Sequence, residues 1–362
     1  MEISCPKLFD GKIYVNRKIR RAICRYFGGL LLFSGKKNCS AMARCTGISH
    51  DVLQEFLNLP VDTAELLKAF LRGARSNLPI RSGTWYINID ETLIDKVYSK
   101  KMEAVAPNWS SAHNTTMKGH TIIAAVITNG KITIPITFKT WYSEKTSPEK
   151  HQTRIKLAQA LMLEIKSEYP NLMFLLDGAF SSEDMLRFCE TNHMRFCMRF
   201  NSNKKVVIGS KEAQIRKHNI LRANGGRKRR VVHGFYKGIG VYFVAFKRKE
   251  RNGKIKIVYL VTNVKETPKK TINTYKKRWN IEKFFRTAKQ HLGLRDCQAL
   301  SAAKQEAHIF AVFACYAWLQ FQKFNQKTKN PEQILHKIRR KKSRNLILQF
   351  ETFCGEIITA LP

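Results

Sequence analysis

The chain is short of acid. Of its 362 residues only 27 are Asp or Glu, against 65 Lys or Arg, so the formal net charge is +38. A chain this unbalanced repels itself unless a polyanion is present, which points to nucleic acid as the partner. Ribosomal and membrane-surface proteins, the usual basic alternatives, tend to be shorter, poor in aromatics or strongly amphipathic. Here 44% of residues are apolar and 10% aromatic, enough to build a sizeable core. Paired cysteine spacing is missing too. Cys5, Cys24, Cys39, Cys45, Cys189, Cys197, Cys297, Cys315 and Cys354 include no C-x-x-C, so neither a zinc cluster nor a disulfide framework is suggested and they read as reduced cytosolic thiols. Met1 to Gly11 is polar and mixed, without the basic start and apolar stretch of an export signal. The longest apolar run, Ile309 to Leu319, falls short of the roughly 20 residues a membrane span needs and is expected to be a buried helix. No internal repeat is present.

The pattern from Asn16 to about Ala74 is helical. Within it Ala43, Gly47 and Leu53 have the A-x3-G-x5-L spacing that lets two short helices cross at a tight turn, as in a DNA-reading helix-turn-helix or a plain helical bundle. Thr84 to Asp90 alternates: Trp85, Ile87 and Ile89 share one face, Tyr86, Asn88 and Asp90 the other. That is the period of a strand, with Asp90 at its end. Two more strands, His120 to Val126 and Ile132 to Phe138, flank a Thr128-Asn129-Gly130 turn and make an antiparallel trio. A helix from about Pro148 to Glu168 follows. Leu172 to Leu176 is then a continuous apolar run, as in a strand buried on both faces, and ends in Asp177. A helix near Ser182 to Thr191 and a strand near Met194 to Phe200 complete the series. This is the order of a ribonuclease-H-like α/β fold, a mixed five-stranded sheet with helices.

Residues 203–270 hold 20 Lys or Arg against three acids, Glu212, Glu250 and Glu266. The aromatics Tyr236, Tyr242, Phe243 and Phe246, interleaved with strand-like runs, predict a folded, basic, β-rich insertion rather than a solvated loop. The expected division is a helical region over 1–80, a catalytic domain over 81–200 and 271–325, the insertion over 201–270, and a basic helical tail over 326–362.

Because acids are scarce, their placement is informative. Two-metal phosphodiester chemistry needs carboxylates that hold hard cations about 3.5–4 Å apart. Asp90 and Asp177 each end a predicted strand, the rim where open α/β sheets bind ligands. Glu91 is the alternative to Asp90. The third contribution comes from a predicted helix, Thr271 to Gln290. At about 100° per residue, Tyr275, Arg278, Glu282 and Lys289 share one narrow stripe. Beside it Ile281, Phe284, Phe285, Ala288 and Leu292 form a stripe that can pack on the sheet.

The series Tyr275-x2-Arg278-x3-Glu282-x6-Lys289 resembles the Tyr-Arg-Glu-Lys signature of the DDE transposases of bacterial insertion sequences, the insertion-sequence-four type. Ile-Asp-Glu-Thr around Asp90, Leu-Asp-Gly-Ala-Phe around Asp177 and the β-rich insertion before Glu282 extend the likeness over roughly residues 81–325. The resemblance implies Asp90, Asp177 and Glu282 as a catalytic, metal-binding triad for two Mg2+, replaceable by Mn2+. It implies Tyr275, Arg278 and Lys289 as contacts to the DNA backbone. The partners implied are terminal inverted repeats and target DNA, held by a homodimer in one synapse, without a membrane, in the bacterial cytoplasm at the nucleoid. Some relatives stack a flipped base on a tryptophan of the insertion. This insertion has none, which leaves Trp279 or an insertion tyrosine or phenylalanine for such a step.

Overall fold

The computed structural model describes residues 7–9, 12–14, 17–59, 62, 65, 67–68, 85–110, 114–221, 230–250 and 252–341. The Arg227-Lys228-Arg229 run, most of 60–84 and the tail beyond Lys341 lie outside these, and the expectations that fall there with them. A short antiparallel hairpin, β1 (Lys7–Phe9) and β2 (Lys12–Tyr14), precedes three helices: α1 (Arg17–Leu32), α2 (Cys39–Thr46) and α3 (His50–Leu57).

Between α2 and α3 the chain turns at Gly47, whose φ of 69° lies in the left-handed region that a Cβ disfavours. Its N–H closes α2 on Ala43 O, and Met42 and Leu53 are buried beneath the turn. The A-x3-G-x5-L spacing therefore does build two crossing helices.

The main sheet begins with β3 (Tyr86–Asp95), β4 (Ala106–Ser110), β5 (Thr115–Thr128) and β6 (Thr133–Trp141). Then come α4 (Arg154–Glu168), β7 (Met173–Leu176), α5 (Glu183–Thr191) and β8 (Phe196–Phe200). In space the order is β6-β5-β3-β7-β8, with β3 antiparallel to β5 and parallel to β7, and β7 parallel to β8. That is ribonuclease-H-like topology. The buried run predicted for β7 divides by alternation. Phe174 and Leu176 enter one hydrophobic cluster, Met173 and Leu175 the other.

The sheet is larger than five strands. β9 (Lys205–Ile208), β10 (Lys211–Gln214), β11 (Val231–Tyr236), β12 (Ile239–Lys249) and β13 (Ile255–Thr262) continue it to eleven, because β13 pairs antiparallel with β8 through Tyr259–Phe200 to Thr262–Cys197. β4, which alternation did not predict, pairs with the first residues of β5. The β-rich segment is thus hydrogen-bonded into the sheet edge rather than standing apart from it.

Beyond the strands come α6 (Pro268–Lys276), α7 (Trp279–Gln290), α8 (Ala302–Asn325) and α9 (Pro331–Lys341). The apolar run read as a buried helix is the centre of α8, enclosed by α1, α3, α9 and β6. Tyr26 of α1 stacks on Phe56 of α3 at 4.4 Å, and its hydroxyl lies 2.8 Å from His308 Nδ1 of α8. Phe284 of α7 meets Phe313 and Tyr316 of α8 edge-on, each at 4.8 Å. The Phe284 contacts pack α7 against α8. Among the described residues, no helix is long and apolar enough to cross a membrane.

Candidate active site

Asp90 does not end its strand. β3 runs on to Asp95 because β5 is fourteen residues long and pairs with it as far as Asp95–Gly119. What stops near Asp90 is the other neighbour. β7 pairs with β3 only up to Ile89–Leu176, and one step further along this parallel register brings Asp90 beside Asp177. Asp177 stands where β7 gives way to a 3-10 turn, Gly178–Phe180. Immediately after it, a Cβ on Gly178 would come within 3.0 Å of Asn201 Oδ1, so the chain there passes close to the end of β8.

Alternation along β3 separates Asp90 from Glu91. Asp90 shares a face with Tyr86 and Asn88, and all three look toward α6 and α7. Glu91 looks the other way and pairs with Arg154 of α4 at 3.0 Å, while Arg154 also donates to Asn108 Oδ1.

The predicted single helix from Thr271 to Gln290 is two helices, broken at Lys277 and Arg278. The Asn88 side chain, wholly buried, donates from Nδ2 to the carbonyls of both residues at 3.0 and 3.3 Å, and Asn280 caps Lys277 O as well. At the junction the amides of 277, 278, 280 and 281 donate to carbonyls three residues earlier, those of 280 and 281 to the same two carbonyls that Asn88 holds. The junction is thereby tied to the strand that carries Asp90. Glu282 follows in the first turn of α7, where the helix dipole favours an acid.

Arg278 lies at the centre of the group. Its guanidinium donates to Asp90 Oδ2 at 2.9 Å and to Glu282 Oε1, and lies 3.9 Å from Asp177 Oδ1. Three acids from three separated segments therefore surround one cation. Burial pushes the Asp90 carboxyl up to about 7; Arg278 works against this rise, Asp177 and Glu282 with it. Glu282 is raised for the same first reason, again opposed by Arg278. Burial disfavours the charged Arg278, but Tyr275 and then the three carboxylates outweigh it and hold the cation charged.

The other residues of the stripe are placed differently. Tyr275 is buried, its ring 5.8 Å from the Arg278 guanidinium and its hydroxyl without a partner. Lys289 lines the same cavity as the acids, its ammonium lowered to about 8 by burial and by Arg295, against the pull of Asp95. Trp279 is 44% exposed at the start of α7. The cavity, about 360 Å³, is also lined by Asn108, Trp109, Arg154 and Arg295, none of which sequence periodicity singled out. Trp109 and Asn108 lie on the unpredicted strand β4, where a tryptophan set among the polar residues Asn108, Ser110 and Ser111 was the available signal.

The donor set fits a hard divalent cation. All the converging donors are carboxylate oxygens, and Asp177 Oδ1 is buried with no hydrogen-bond partner. As they stand, no three His, Cys, Asp or Glu among the described residues are close enough to share an ion; the positive charge at their focus is the guanidinium of Arg278.

Topology and site together define a ribonuclease-H-like sheet bearing a D, D, E set of carboxylates. The chain belongs to the transposase DDE domain family, which matches residues 89–318. Among solved structures it is similar to the Mos1 mariner paired-end complex with manganese, at 13% identity and a TM-score of 0.19, over 44% of this chain. The match spans 54% of that chain. No curated protein matches this chain.

Proposed function

We propose that the chain is a DNA transposase of the insertion-sequence-four type, which cleaves the ends of a mobile element and joins the freed 3′-hydroxyls to target DNA. The observation that carries this reading is the convergence of Asp90, Asp177 and Glu282 around Arg278, in a cavity also lined by Lys289 and Arg295.

Asp90, Asp177 and Glu282 would hold the metal. Two magnesium ions, or manganese in their place, would supply Lewis acidity to the attacking and leaving oxygens of an in-line displacement. The protein's own part is to fix the three carboxylates through the β3–β7 register and the Asn88-bound junction. Arg278 and Lys289 neutralise the phosphate beside them. In the first step water attacks phosphorus, the bond to the 3′-oxygen breaks, and that oxygen leaves as a hydroxyl. In the second, this hydroxyl attacks a target phosphodiester and expels another 3′-oxygen, so no bond to the protein forms.

Recognition of terminal inverted repeats and a homodimeric synapse belong to the same proposal. The helix pair α2–α3 supports a packing role better than base reading, since α3 carries Asp51 and Glu55 and no Lys or Arg. The test is direct. With magnesium, a labelled duplex carrying the terminal repeats that flank the coding region should be nicked by the protein and left intact by Asp177→Ala. Equal cleavage by both would remove Asp177 from the chemistry, and no cleavage by either would remove the activity.

A further inference from the structure

A second cavity, of about 1060 Å³, opens on a different side of α7 from the acids. Six cations line it: Lys131 from the β5–β6 turn, Lys283 and Arg286 from α7, Lys323 near the end of α8, and Lys327 and Lys329 from the segment before α9. The single acid in the lining, Glu332, already accepts a hydrogen bond from Thr287 Oγ1. Among the described residues none of the six cations pairs with a carboxylate. Two further lining atoms, Gln320 Oε1 and Thr328 Oγ1, are buried without a hydrogen-bond partner, and Gln320 is only 3% exposed.

Six cations against one carboxylate are a net excess of positive charge, which raises the local concentration of anions. Burial and then the nearby Lys283 lower the ammonium of Lys323, against the pull of Glu332, so these groups feel one another. The volume lies at the top of the range for small-molecule pockets, about 300–1,000 Å³. Six cations also exceed what one small anion would satisfy. A linear polyanion fits both facts.

The position on α7 says which one. Turning about 100° per residue from Glu282, Lys289 falls at about −20°, Arg286 at about +40° and Lys283 at about +100°. The cations of the groove thus begin where the stripe of the active site ends. The two sites are neighbouring faces of one helix, about 10 Å across with its side chains.

We propose that this groove is a second DNA-backbone site, in which phosphates flanking the cut lie against Lys283, Arg286 and Lys327 while Glu282 and Lys289 face the scissile phosphate. It rests on the transposase reading above. Each phosphate contact contributes about 0.9 to the slope of log affinity against log salt on duplex DNA.

The experiment uses the full chain and the variant Lys283→Gln/Arg286→Gln/Lys327→Gln, all three side chains being exposed. Duplex affinity is measured across a salt series, with thermal melting as the check that the variant folds. The slope should shrink by about 2–3 and affinity at low salt should fall about tenfold or more. An unchanged slope and affinity in a folded variant, with wild type still binding and nicking DNA, overturns the groove and leaves the transposase reading intact. Inorganic tripolyphosphate is the second probe. If it binds wild type and not the variant while the DNA slope is unchanged, the groove serves a free anion and the proposal falls. Wild type that binds no duplex removes both readings.

Discussion

The two charged regions that meet on α7 handle charge in opposite ways. In the candidate site Asp90 and Arg278 are mostly buried, with side chains 16% and 11% exposed, Asp177 and Glu282 are about a third exposed, and the fold itself supplies a counter-charge, Arg278. In the groove five of the six cations are exposed and Lys323 is half-buried, and none has a carboxylate partner among the described residues. The physics explains the contrast. A buried ion without a partner costs several kcal/mol, so Arg278 beside Asp90 stabilises the first region. Exposed like charges cost little, so the second can wait for a polyanion.

Exchanging the two losses tests whether the regions work separately. Glu282→Gln keeps the shape of the side chain and removes its charge, so cleavage should fall about a thousandfold or more, the several kcal/mol that metal-assisted displacement supplies. Its duplex binding should be undiminished, since the change removes a negative charge. The groove variant should show the reverse, weak binding with turnover preserved at saturating DNA. If both variants lose binding and turnover together, the regions are one site.

Arg278→Ala probes the internal counter-charge. Measured by denaturant unfolding with chelator present, it should cost about 3–5 kcal/mol, the penalty for leaving a buried charge without its partner. Part of that loss should return on adding manganese, which stabilises by mass action whichever state binds it. Lys283→Ala, on the groove side, should stay within about 0.5 kcal/mol of wild type. Equal effects would mean that burial does not separate the two regions.

A smaller effect concerns pH. Burial raises the Asp90 carboxyl to about 7 from its ordinary 3.8. The folded chain therefore holds this proton more tightly than the unfolded chain. The stability from that group is complete below about pH 4 and is lost as pH rises through about 7. Asp90→Asn cannot ionise, so with chelator present its stability relative to wild type should grow by on the order of 2 kcal/mol between about pH 5 and about pH 8. A difference that does not change with pH would show that Asp90 is already ionised at pH 5.

Much of the site was legible from local pattern, because local pattern reports periodicity and turn chemistry. Alternation from Trp85 to Asp90, the apolar run before Asp177 and the Asn129-Gly130 turn are properties of single strands and one hairpin. They sufficed for the ribonuclease-H-like order. What escaped depends on partners distant in sequence. Glu91-Thr92-Leu93-Ile94-Asp95 carries two acids and reads as a turn or cap, yet pairing with the long β5 keeps it extended. Nothing between Thr271 and Gln290 is a glycine or proline, so no helix breaker announced the junction at Lys277. It is made by Asn88, nearly two hundred residues earlier. The same holds for β13, whose place in the sheet is decided by β8, and for Arg278, which a helical wheel could put beside Glu282 but not among three carboxylates.

The smallest predicted effect tests the choice between Asp90 and Glu91 that sequence left open. Asp90 and Glu91 are adjacent acids, but a strand sends them to opposite faces, and only Asp90 reaches Arg278. Glu91 is about a third exposed and so is its partner Arg154, which makes theirs an ion pair of the surface kind. Such pairs contribute about 0–1 kcal/mol. Glu91→Gln should therefore cost less than about 1 kcal/mol of stability. It should leave cleavage within about threefold of wild type, roughly 0.7 kcal/mol of barrier. Cleavage as low as that of Glu282→Gln would instead transfer the first carboxylate from Asp90 to Glu91. Arg154 would then have to release Glu91 before the site could work, so Arg154→Ala should raise activity. If Asp90 is the ligand, Arg154→Ala should do no more than loosen the edge of the cavity at Asn108.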